Sequence, residues 1–95
     1  MIFTKTKILG VYIIEPEKFE DERGFFSRTF DSSSFNDLNL VYDFIQHSMS
    51  YNKKKGTIRG LHYQINPFSE TKIVSCSQGK IYDVLVDLRP NSSTY

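Results

Sequence analysis

Arg59 and His62 stand three positions apart in the run Gly56-Thr57-Ile58-Arg59-Gly60-Leu61-His62-Tyr63-Gln64, and Lys72 opens the apolar run Lys72-Ile73-Val74 ten residues beyond His62. A histidine beside a fixed positive charge is what proton abstraction from a carbon next to a carbonyl requires. The base takes the proton, and the cation stabilises the enolate oxygen as charge develops on it. Histidine suits the first task because its unperturbed pKa of about 6.5 leaves it mostly neutral near pH 7. In a regular strand Arg59 and His62 point to opposite faces. Gly60 between them predicts a bulge that would turn both side chains into one cavity. Taken singly, each residue also has a plainer reading: His62 as a satisfied histidine, Arg59 as a rim charge and Lys72 as an exposed edge residue. Spacing alone favours the plainer one.

Other chemistries find less support. The only two histidines, His47 and His62, are far apart and form no H-x-H, so no metal site is expected. Cys76 has no histidine near it in sequence and reads as a buried structural thiol rather than a nucleophile. A single cysteine excludes an internal disulfide and suits a reducing compartment, so the cytoplasm is the expected location. A net charge of +1 and a pI near 7.8 give no global reason to expect a nucleic-acid partner. The one basic cluster, Lys53-Lys54-Lys55, leads into Gly56 as a solvated turn would. No apolar run approaches the roughly 18 residues of a membrane span, so no membrane partner is expected either.

The elements that must position these residues read as short strands. A length of 95 residues allows one domain with a modest core, and 39% hydrophobic with 15% aromatic residues argues for a folded chain. Residues Ile8 to Ile14, closed by Pro16, predict a first strand, followed by a polar loop. Phe25 to Phe30 predicts a second strand entered through a turn at Gly24. Asp31 or Ser32 caps a short helix carrying Phe35 and Leu38, which Asn39 ends. Strands are then predicted over Tyr42 to Met49, Thr57 to Gln64, Thr71 to Ser77 and Ile81 to Leu88, with Ser77-Gln78-Gly79-Lys80 as a hairpin turn before the last. The pattern predicts an all-β antiparallel sandwich or barrel. The chain closes with a turn, Arg89 to Tyr95, that leaves the last strand's far edge uncovered, so the sequence reads as interrupted.

The segments DERGFF (Asp21 to Phe26), RGLHYQ (Arg59 to Gln64) and DVLVDLRPNSSTY (Asp83 to Tyr95), in this order, closely resemble dTDP-4-dehydrorhamnose 3,5-epimerases over nearly the whole chain. The resemblance implies an antiparallel jelly-roll (cupin-like) sandwich, of which residues 1–95 would be a truncated N-terminal half. It implies His62 as the catalytic base, Lys72 near the sugar's C4 oxygen and Arg59 as a substrate-binding arginine. It places Arg23 and Phe26 on the nucleotide-binding surface and Gln46 in the lining of the site. It also implies exchange of the protons at C3 and C5 of a 4-keto-6-deoxy sugar on dTDP, no metal or redox cofactor, and a homodimer with exchanged strands. An Asp-Asn-His-Ser string common in the family is here His47-Ser48-Met49-Ser50, of which Ser50 is kept, and Arg28 stands where many members have an acid. The family's tyrosine acid and its histidine-orienting aspartate have no counterpart in these residues. The related sugar 3,4-ketoisomerases carry a His-richer segment at this place and rank second. A rival of another class is a catalytically inactive remnant that still binds a nucleotide-sugar.

Overall fold

A computed structural model describes residues 1–95 as two units, one made of Met1–Tyr42 with Ile81–Tyr95 and the other of Asp43–Lys80. In the first unit, β1 (Ile2–Lys5) pairs antiparallel with β2 (Tyr12–Glu15), placing Phe3 opposite Ile14 and Lys5 opposite Tyr12. The reversal between them is built locally. Thr6 N donates to Val11 O at 3.1 Å, Ile8 N donates to Thr6 Oγ1 at 3.2 Å, and Gly10 takes φ 85°. That backbone is open to glycine and strained for other residues. It also corrects the expected strand over Ile8 to Ile14. Ile8 to Gly10 belong to the turn, and the strand begins only at Tyr12.

The stretch expected as a polar loop contains β3 (Lys18–Asp21), which pairs antiparallel with β4 (Gly24–Ser27), with Phe19 opposite Phe26. The turn residues Glu22 and Arg23 are held by Asp21, whose Oδ1 accepts from Arg23 N at 2.8 Å. The Lys18 ammonium lies 4.6 Å from the centre of the Phe25 ring, a cation–π contact that favours this pairing. The second strand therefore stops at Ser27 rather than reaching Phe30.

The helix follows its sequence signals. α1 (Ser32–Asp37) has Asp31 as N-cap, accepting from Ser34 N at 3.2 Å, and ends as Asn39 turns to φ 55°. Its buried face is Phe35, 3% exposed, the one buried apolar side chain of the protein. Phe3 and Phe30 pack against that ring at centroid distances of 5.3 and 5.0 Å, the first edge to face, and Phe3 also meets Tyr12. In the full-length protein, Phe35→Ala is expected to cost about 3 to 5 kcal/mol and to release the Phe3 and Phe30 rings. Ring proton shifts moving to random-coil values would show it; unchanged shifts would contradict it.

No ladder forms over Tyr42 to Met49, Thr57 to Gln64, Thr71 to Ser77 or Ile81 to Leu88, a correction to four predicted strands. A strand exists only with a neighbour to take its backbone donors and acceptors. The ladders of this chain are the two local hairpins, and the alternating residues of the last segment stay half-exposed, Val84 at 49% and Val86 at 56%. Gly60 accordingly makes no bulge, and Gly79 (φ 78°) marks a bend without flanking strands. Cys76, expected to be buried, is exposed, its thiol donating to Gln78 O at 3.2 Å. The architecture that does form is all-β and antiparallel, with one short helix. No helix is long and apolar enough to cross a membrane.

Candidate active site

In the Asp43–Lys80 unit the best-anchored of the predicted site residues is Arg59. Its Nε donates to Asn52 Oδ1 at 2.6 Å and its Nη2 to Tyr51 O at 3.0 Å, which closes the loop 51–59 on itself. Inside that loop Thr57 Oγ1 donates to Lys54 O at 2.7 Å, and Gly56 takes φ 80°. Gly60, at φ 98°, lies directly before the Leu61-His62 pair. A Cβ at that position would sit 3.5 Å from His62 N and 3.8 Å from His62 Nδ1. Those are ordinary contact distances, so it is the left-handed φ rather than a lack of space that calls for glycine at this position.

His62 is exposed and its ring makes no hydrogen bond. Lys72 Nζ pairs with Glu70 Oε1 at 3.0 Å, with both side chains about half-exposed. No hydrogen bond or ion pair joins His62, Lys72 and Arg59 to one another. Gln46 and Ser50 are likewise exposed and uncommitted. The segments that carry these residues lack a shared ladder, so nothing fixes their side chains on a common face.

In the other unit the β3–β4 hairpin does bring its two predicted residues together. A surface depression of about 240 Å³ is lined by Asp21, Arg23, Gly24, Phe25 and Phe26. Arg23 grips Asp21 through both Nε and Nη2, the latter at 2.6 Å. This pairing holds the Asp21 carboxyl below its ordinary range and raises the guanidinium above its own, the Arg23 hydrogen bond being the main cause for the first and Asp21 for the second. The exposed Phe25 and Phe26 rings and the Arg23–Asp21 ion pair thus share one depression. Phe26 also lines a second depression, of about 290 Å³, together with Arg28, Asp31 and Ser34.

One polar cluster was missed from the sequence. The Asp87 side chain is 2% exposed and accepts from Arg89 Nε at 2.8 Å, Arg89 Nη2 at 2.9 Å, Ser92 Oγ at 2.5 Å and Thr94 Oγ1 at 2.6 Å. The signal was present in the D-x-R-x-x-S-x-T spacing, an acid followed by three donors that a turn can fold back onto it. Arg89 first, then Ser92 and Thr94, hold the Asp87 carboxyl far below the usual carboxylate range. A depressed folded pKa stabilises wherever the group is ionised in both states, so the contribution is whole above an ordinary aspartate's pKa of about 3.9 and is lost as pH falls toward the folded value. The Asp87 carboxyl carbon is expected to keep its ionised chemical shift at about pH 3, where ordinary aspartates have mostly titrated. A normal inflection near pH 4 would contradict the cluster.

A family model described as dTDP-4-dehydrorhamnose 3,5-epimerase matches residues 5–95. Among curated proteins of that name, the one from Shigella flexneri is 42% identical over 92 residues, covering 96% of this chain and 50% of the relative. The Methanothermobacter thermautotrophicus protein is 44% identical over 93 residues, covering 98% and 49%. The Sinorhizobium fredii protein is 40% identical over 95 residues, covering 100% and 49%. The chain spans about half the length of these curated relatives. No solved structure matches it. With a family match running from Lys5, the last residue of β1, through β2, the β3–β4 hairpin, the helix and the RGLHYQ segment, the chain belongs to the dTDP-4-dehydrorhamnose 3,5-epimerase family.

Proposed function

We propose that residues 1–95 are the N-terminal half of a jelly-roll (cupin-like) sugar-nucleotide epimerase of dTDP-rhamnose biosynthesis, which inverts C3 and C5 of dTDP-4-dehydro-6-deoxyglucose. The observation that carries this reading is the family match over residues 5–95, which contains Arg59, His62 and Lys72 together. In the full-length protein the second half supplies the ladders that the segments after Tyr42 lack. Strand pairing then gives His62 and Lys72 the common cavity that they do not share in residues 1–95. The working form is a cytoplasmic homodimer.

The chemistry follows from the substrate's own ketone. A carbonyl at C4 acidifies the C–H bonds at C3 and C5, so the electron pair left by each proton has a sink and no cofactor is called upon. His62 takes the proton, the C–H bond breaks, and its electrons form an enolate whose oxygen lies against the Lys72 ammonium. Lys72 must then exchange Glu70 for the C4 oxygen. Return of a proton from the opposite face inverts the centre. That acid is the family's tyrosine, which belongs to the second half. Arg23 and Phe26 hold the nucleotide, while Arg59, Gln46 and Ser50 hold the diphosphate-sugar.

A second reading, a nucleotide-sugar binder without turnover, draws on one observation: Lys72 is tied to Glu70 and not to His62. Proton NMR of dTDP-4-dehydro-6-deoxyglucose incubated with the full-length protein separates the two. Ring couplings that change to those of the inverted sugar support the epimerase, and unchanged couplings with bound nucleotide support the binder.

A further inference from the structure

We infer that the loop 51–59 is an electrostatic capture element for the diphosphate of a nucleotide, with the Lys53-Lys54-Lys55 triplet as its charge. This rests on the reading of the chain as a nucleotide-sugar protein but not on its turning the sugar over. Three observations carry it. The Asp43–Lys80 unit holds Lys53, Lys54, Lys55, Arg59, Lys72 and Lys80 against only Asp43 and Glu70, a net charge of +4. The triplet is exposed, and the ion pairs of the chain lie elsewhere, so no carboxylate neutralises it. The loop is also closed at its base by Arg59, through Asn52 and Tyr51, with Thr57 tied to Lys54 inside it.

A solvated turn explains the backbone of this loop, since Gly56 provides the left-handed residue that a turn needs. It does not explain the charge. Three adjacent ammonium groups in an uncompensated unit repel one another, and an anion relieves that repulsion. The clamp sets where the anion comes. Arg59 uses one Nε and one Nη2 hydrogen on the loop, which leaves Nη1 and a second Nη2 hydrogen free to receive a phosphate oxygen. The same guanidinium therefore anchors the loop that carries the lysines and keeps N–H donors for an anion, so the triplet's charge belongs to the loop that Arg59 closes.

Such a contribution is long-ranged and screened by salt, whose Debye length falls from about 30 Å at 0.01 M to about 3 Å at 1 M. The test is titration of dTDP into the full-length protein, comparing wild type with the triple variant Lys53→Gln, Lys54→Gln, Lys55→Gln and the triple Lys→Arg variant. The Gln variant is expected to bind dTDP about tenfold more weakly near 20 mM salt and within about twofold of wild type near 500 mM. The Arg variant, which keeps the charge, is expected to bind as wild type does. Equal affinity of the Gln variant at low salt would overturn the inference, as would a loss that salt does not shrink or that the Arg variant shares. Absence of epimerisation in the wild type would show in its sugar NMR spectrum and would leave this binding comparison intact.

Discussion

Replacing His62 by Ala in the full-length protein is expected to slow proton exchange at both C3 and C5 by about 10²- to 10⁴-fold, the usual contribution of a positioned general base. Binding of the dTDP-sugar should change little, because the proposed mechanism assigns the nucleotide to other residues. In kinetic terms kcat falls while KM stays within about threefold, the signature of a group that acts on the transition state rather than on ground-state binding. Exchange at the two carbons should fall together, since the proposed mechanism gives one imidazole both protons. Undiminished exchange in the variant would remove His62 from this role. A loss confined to C3 or to C5 would mean that a second base serves the other carbon.

The second large effect concerns residues 1–95 alone, which should not melt cooperatively as a monomer. Phe35 is the single buried apolar side chain, while Ile58, Leu61, Val74, Val84, Val86 and Leu88 remain exposed or half-exposed. Burying one aromatic ring contributes about 1.5 to 3 kcal/mol, against roughly 1 to 2 kcal/mol of backbone entropy for every residue that is fixed. The hairpins are local and the helix is short, so neither is stable without a larger core. Light scattering is expected to show association, and the thermal trace to be broad. A monodisperse 95-residue monomer with a sharp transition would contradict this and would mean that the apolar segments after Tyr42 pack among themselves.

Where the sequence could be read, the signals were local. The Asp31 cap, the Phe35 face and the Asn39 stop specify α1 within a few residues, and the turn at Gly24 leads into the Phe25–Phe26 strand. The errors at β1 and β2 have the same local origin. The apolar run includes Ile8 and Leu9, but the Thr6 hydroxyl and the φ of Gly10 draw those residues into a turn. β3 was hidden by its acids, although a hairpin needs only a partner in register, which Phe26 provides for Phe19. The predicted strands from Tyr42 onward depend on partners distant in sequence, and alternation cannot say where such a partner lies. The same limit applies to the site. Arg23 and Phe26 share one hairpin and line one depression, whereas His62 and Lys72 sit on segments whose relative placement no local signal determines. The Asp87 cluster was legible in principle from its spacing of donors, but those donors lie beyond the predicted strand, in a turn whose path alternation does not set.

Mass spectrometry of the product formed from dTDP-4-dehydro-6-deoxyglucose in deuterium oxide tests the central claim most directly. The full-length wild-type protein is expected to place one deuteron at C3 and one at C5, with both centres inverted and the C4 ketone retained. Product carrying no ring deuterium, or a single deuteron at one of these carbons, would contradict a 3,5-epimerase built on His62.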